Sequence, residues 1–234
     1  MTGMPIADEL ERCTERCRNM DAPLAERLQA FADDVASLAP GFTELVERMI
    51  TRLRAAEVGQ TAPGRGEPMP PFVLPDQASR LVSLDSLLAG GPVVVSFNRG
   101  GWCPYCRINA DALAQLSPVV AARQARIVAI TPDLAQFNAE LRAGAKANFP
   151  ILTDLDNGYA LEVSVAFKVP EEKRSAMTSA GWDISRSQAS DAWILPIPAT
   201  FVIGRDGRVL ERFIDPDYRK RATHEAILAA LPVP

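Results

Sequence analysis

The chain has 234 residues, 47% of them hydrophobic, with 25 Lys and Arg against 29 Asp and Glu for a net charge of −4. That balance describes an ordinary folded protein, large enough for one sizeable core plus an extension. It excludes the basic footprint of a nucleic-acid binder, and no basic amphipathic segment or run of ~20 apolar residues points to a membrane.

Met1 to Leu10 carries Asp8 and Glu9 and lacks a charged-then-apolar leader, so the expected compartment is the cytoplasm. The first quarter reads as helical. Leu24, Leu28, Phe31, Val35 and Leu38 share one face of a helix, and Pro40-Gly41 interrupts it. Phe42, Leu45, Val46, Met49, Ile50 and Leu53 form a second stripe. Both stripes need cover, from each other, from the rest of the chain, or from a second copy in a homodimer. Residues 57–71 crowd Gly59, Pro63, Gly64, Gly66, Pro68, Pro70 and Pro71, too many breakers for a regular element, and read as a linker.

From Phe72 the signals alternate. β-rich runs at Phe72–Leu74, Val93–Phe97, Ile127–Thr131, Thr200–Ile203 and Val209–Phe213 are separated by helical patterns near 104–121, 133–146 and 222–231. Pro118 is expected to kink or end the first of these helices. Val93–Phe97 and Ile127–Thr131 should be parallel neighbours across a helical crossover. Gly204-Arg205-Asp206-Gly207 should turn an antiparallel hairpin. The expected architecture is α/β, a mixed sheet flanked by helices. Its organisation is a helical extension at 1–56, a linker at 57–71 and a main domain at 72–234. The segment 154–193 reads as an insertion opening with a helix near 157–165. Within it Glu171 to Arg174 reads as a solvated helix start, and Trp182 and Trp193 as core residues.

Four cysteines fall in two pairs, Cys13/Cys17 and Cys103/Cys106. In the cytoplasm a close pair is more often catalytic or metal-binding than structural. Zinc needs four ligands, and the single histidine, His224, belongs to the last helical pattern. No GK[ST] or GxGxxG motif occurs, so neither a metal nor a nucleotide cofactor is expected. Cys13/Cys17 is helically spaced without other ligand types and reads as incidental. Cys103/Cys106 differs. A strand ends at Phe97, Gly100-Gly101 make a loop, and Pro104 opens a helix, so Cys103 falls at the N-cap and Cys106 in the first turn. Unpaired N–H groups and partial positive charge there favour a thiolate, and Arg99 and Arg107 add to this. Residues three apart share a helix face, close enough for a disulfide after modest adjustment.

Trp102-Cys103-Pro104-Tyr105-Cys106 resembles the WCxxC or CPYC motif of thioredoxins and glutaredoxins, and Pro198-Ala199-Thr200-Phe201-Val202-Ile203 resembles the cis-proline strand of that fold. Phe72 to Phe97 is similar to the opening of the peroxiredoxin branch, the AhpC/TSA type. The likeness spans roughly residues 68 to 214 and implies a thioredoxin-like fold with an N-terminal helical extension. In peroxiredoxins the attacking cysteine lies nine places after the strand-end Phe. Here Cys106 lies nine after Phe97, Pro104 matches the family proline, Cys103 replaces its threonine, and Arg99 replaces the first proline of the motif. Peroxiredoxins usually carry an arginine before the Ala/Gly-Thr-Phe strand. This chain has Pro198 there, leaving Arg99 as the residue expected to supply the charge.

The resemblance implies a thiol peroxidase acting on hydrogen peroxide or organic hydroperoxides. Cys106 would become a sulfenic acid, Cys103 would close a disulfide with it, and a thioredoxin- or glutaredoxin-type donor would restore the dithiol. Trp102, Tyr105, Pro198 and Thr200 would support the site. The alternatives are a general thiol–disulfide oxidoreductase in which Cys103 attacks and Cys106 resolves, and a metal- or cluster-binding module without turnover.

Overall fold

The computed structural model describes residues 6–179 and 182–232. Three helices come first: α1 (Ile6–Arg18), α2 (Leu24–Leu38) and α3 (Pro40–Ala55). Pro40 opens α3, where a missing N–H costs nothing. A short hairpin follows, β1 (Val73–Pro75) with β2 (Leu81–Ser83), then α4 (Leu84–Leu88), which Ser83 and Ser86 close with a reciprocal capping box.

The central elements are β3 (Val93–Phe97), α5 (Pro104–Ala122), β4 (Arg126–Thr131), α6 (Ala135–Gly144) and β5 (Ile151–Thr153). The region between Asp154 and Trp193 contains α7 (Gly158–Glu162), β6 (Ala166–Lys168), α8 (Glu171–Ser179) and α9 (Ser185–Gln188). Then come β7 (Ile194–Pro196), β8 (Ala199–Ile203), β9 (Val209–Ile214) and α10 (His224–Ala230). The main sheet runs β5-β4-β3-β8-β9. β3 pairs parallel with β4 and antiparallel with β8, and β8 and β9 form the expected hairpin. Gly207 supplies the left-handed backbone of its turn, with φ of +77°.

β3 is buried along its whole length, as a strand with both faces covered requires. Val93, Val95 and Phe97 face a core shared with α1, α2 and α3, whereas Val94 faces a second core that includes Leu113, Val120 and Ile227. Residues 57–71 lie along the end of β9: Gly66 N–H donates to Val209 O at 2.8 Å and Met69 N–H to Gly207 O at 2.9 Å. Pro118 does not end α5, which continues to Ala122. It stands exposed on the helix surface and forfeits one helical hydrogen bond without ending the helix. No helix among the described residues is long and apolar enough to cross a membrane.

Candidate active site

The sheet delivers the two cysteines. β3 ends at Phe97, and Asn98 is fixed by its N–H to Ile130 O at 2.9 Å and by its side chain to Ser96 and Asn109. Gly100 has φ of +131°, and a Cβ there would stand 2.5 Å from the Asp133 carboxylate, so only glycine fits. The next N–H, of Gly101, donates to Asp133 Oδ2 at 2.7 Å. Cys103 is the N-cap of α5 with extended backbone, Pro104 takes the first helical position, and Cys106 lies in the first turn. Both sulfurs are free thiols, and both residues are 0% exposed.

Two arginines converge on the pair. Arg99 donates its backbone N–H to Cys106 Sγ at 3.3 Å and its Nη2 to Cys103 Sγ at 3.0 Å. Arg221 Nη2 approaches Cys106 Sγ at 3.7 Å. Arg99 itself is 4% exposed, with its guanidinium carbon 3.5 Å from the Tyr218 ring centroid and 5.3 Å from that of Trp102. Burial raises both thiols, but the two then part. At Cys103 it is outweighed by the Cys106 thiol hydrogen bond, by Arg99 and by Arg221, which together hold it well below the ordinary thiol range. Cys106 is pushed well above that range by burial and by its own hydrogen bond and charge repulsion with Cys103. The pair thus loses its first proton easily and holds the second tightly, one proton being shared between two sulfurs. Asp133 nearby is pushed up to about 6, chiefly by burial and against the Gly101 N–H bond.

Arg99, Trp102, Pro104 and Tyr105 line one cleft together with Phe31 of α2 and Lys173 of α8. Pro198 and Thr200 line another, with Lys220 and Arg221. The register Phe97–Ala199 and Ser96–Thr200 brings the Pro198 end of β8 alongside the end of β3. The resemblance to a cis-proline strand fails at the bond itself, since no cis peptide occurs among the described residues. Ile197 is fully buried and its N–H donates to Val165 O at 2.7 Å, so the chain runs extended from β7 into β8 through a trans Ile197–Pro198 bond. Lys173 also departs from expectation: it is 2% exposed, not solvated. Its Nζ lies 3.4 Å from Tyr218 Oη and over the Phe42 ring. Trp193 is in the core, whereas Trp182 is half-buried at the cleft.

Arg221, Lys173 and Tyr218 are invisible to motif reading. Arg221 sits in the run Tyr218-Arg219-Lys220-Arg221, which looks like a solvated basic turn. The one available signal was the missing family arginine before β8, which implies a substitute elsewhere.

A cysteine pair at the mouth of a strand-to-helix junction, on a mixed sheet with these helices, defines a redox protein of the thioredoxin-like fold. Residues 65–212, more than half of the chain, match the AhpC/TSA family, and the chain belongs to that family. A Mycobacterium tuberculosis protein bearing the peroxiredoxin name is 26% identical over 167 residues, covering 71% of this chain and 94% of that protein. Among solved structures, the peroxidoxin BcpB of the same organism aligns with a TM-score of 0.57 at 24% identity, covering 72% of this chain and 96% of its own. The bacterioferritin comigratory protein of Xanthomonas campestris aligns at 0.52 and 17%, covering 68% and 89%. The family match begins after α3 and ends before Tyr218, so the arm and Arg221 lie outside it.

Proposed function

We propose that the protein is a thiol peroxidase that reduces hydrogen peroxide or an organic hydroperoxide through a Cys103–Cys106 disulfide. The observation that carries the reading is a pair of buried sulfurs with the Arg99 guanidinium 3.0 Å from one and the Arg221 guanidinium 3.7 Å from the other. Cys106 occupies the attacking position of the family motif, and Cys103, as the resting thiolate, is the base that takes its proton. The Cys106 thiolate then attacks the terminal peroxide oxygen while the Arg99 N–H and Arg221 stabilise the sulfur and the developing charge. The O–O bond breaks, the S–O bond forms, and the departing alkoxide takes the proton from Cys103. Cys103 thiolate next attacks the sulfenic sulfur, and hydroxide leaves as water with a solvent proton. A thioredoxin-type dithiol donor would restore the pair, being itself oxidised to a disulfide. Arg99, Trp102, Pro104 and Tyr105 shape the approach, and Pro198 and Thr200 border the far side.

A second reading, general thiol–disulfide exchange with Cys103 as nucleophile, is favoured by the 3.0 Å contact from Arg99 to Cys103. Single-turnover mixing with hydrogen peroxide separates the two. The peroxidase reading expects Cys103→Ser to consume one equivalent and stop at a dimedone-reactive sulfenic acid, with Cys106→Ser at background. Insulin-disulfide reduction by the native protein, with Cys106→Ser forming mixed disulfides and no peroxide consumption, would establish the second.

A further inference from the structure

The cleft above the cysteines has an apolar wall and a cationic floor. Phe31, Val35, Phe42, Met177 and Trp182 form the wall. The floor holds Lys173 and Arg99, both buried. Val35, Phe42 and Trp182 also border a second apolar groove that reaches Ile6, Leu10 and Leu45, so the two apolar hollows adjoin at these three side chains. Ile6 at its outer end is well exposed.

The floor is short of negative charge. Among the described residues no carboxylate pairs with Lys173, Arg99 or Arg221. The nearby acids are committed elsewhere. Asp217 and Glu47 are taken by Arg219, and Glu172 by Arg52 and Arg48. Arg99 Nε is buried without a hydrogen-bond partner. Arg99 and Lys173 are buried beside the cysteines, and burial holds the Lys173 amine well below its ordinary range. A buried basic group without a carboxylate is costly to charge, and an anion seated beside Lys173 would favour its charged form.

We propose that this cleft is a binding site for a free single-chain aliphatic carboxylate, its head on Lys173 and Arg99 and its chain along Val35, Phe42 and Trp182 towards Leu10. The site is built by the arm and α8, and Phe31, Val35 and Phe42 lie outside the family match. Hydrogen bonds to charged groups are worth about 1.5–3 kcal/mol, which corresponds to at least about tenfold in affinity.

The probe is dodecanoate, titrated into the reduced protein without oxidant and followed by tryptophan fluorescence and calorimetry. Binding in this form does not depend on peroxidase turnover, so its failure and the failure of the catalytic reading are separate results. Dodecanoate should bind saturably, at least about tenfold tighter than dodecanol or dodecyltrimethylammonium. Lys173→Met should remove that preference while leaving dodecanol binding unchanged, and hexanoate should bind more weakly than dodecanoate. The absence of saturable binding, equal affinity for carboxylate and alcohol, or an undiminished preference in Lys173→Met would overturn the proposal.

Discussion

The molecule carries two cysteine pairs with nearly the same spacing and opposite surroundings. Cys13 and Cys17 lie within α1, one turn apart, with Cys17 Sγ 3.9 Å from Asp34 Oδ2. Burial raises both thiols, and the Asp34 charge opposes their ionisation, although Arg16 pulls the other way. Arg16 is itself tied to Asp34, and its pull on the sulfurs does not overcome burial, so both thiols stay raised. Cys103 and Cys106 straddle the start of α5 instead, with Arg99 and Arg221 directed at the sulfurs and, among the described residues, no carboxylate paired to either arginine. Cysteine spacing alone does not set how a pair ionises. The helix end and the neighbouring cations do.

The largest test of that contrast is Arg99→Met. It removes the guanidinium from Cys103 while keeping an unbranched apolar chain over Tyr218, and the rate of peroxide consumption should fall roughly a hundredfold. Thiolate formation at the pair should move to higher pH. A rate within twofold of native would remove Arg99 from the account.

Each pair also has a neighbouring carboxylate, and the two differ. Asp34 is paired with Arg16, whereas Asp133 is fully buried with Oδ1 unpartnered. A carboxyl held up at about 6 favours the protonated form in the folded state. Its contribution to stability is therefore full below the unfolded value near 3.9 and is lost as pH rises through about 6. Asp133→Asn should stabilise the protein by on the order of 2–3 kcal/mol above about pH 7 and hardly at all near pH 3.5. Denaturant melts at the two pH values read this directly, and an equal effect at both would refute it.

Arg221→Gln is expected to be milder, because its contact is longer and falls on the sulfur that keeps its proton at rest. A loss of about tenfold in peroxide rate, with thiolate formation at Cys103 moved to higher pH by less than in Arg99→Met, is the expected split. The smallest effect is at the other pair. Asp34→Asn should speed alkylation of Cys13 at fixed mildly alkaline pH by a few-fold, since one pKa unit is tenfold and this acid is only one of several causes. Unchanged alkylation would mean that burial alone sets that pair.

How much of this was legible in the sequence follows the range of the interactions. β3 spans the residues that its β-branched run marked, α5 begins at the proline that marked it, and the Gly-Arg-Asp-Gly turn joins β8 to β9. The N-cap position of Cys103 followed from Pro104, one residue away. The parallel pairing of β3 with β4 was legible from the helical crossover between them, but side-chain contacts between distant segments were not. β6 and β7 pair across the intervening α8 and α9, so neither short strand carries a local turn signal. Lys173 lies in a charged run yet is buried by Phe42 of α3 and by Tyr218, partners remote in sequence. Arg221 reaches Cys106 across 115 positions, a contact that only the closed fold creates.

The most direct test is a pH titration of ultraviolet thiolate absorbance on two double variants, Cys13→Ser/Cys17→Ser and Cys103→Ser/Cys106→Ser. The first, which keeps Cys103 and Cys106, should develop one thiolate per chain well below the ordinary thiol range and the second only at strongly alkaline pH. The other variant should show alkaline ionisation alone. Two overlapping alkaline curves would contradict the claim that paired guanidinium groups and a helix terminus set Cys103 and Cys106 apart.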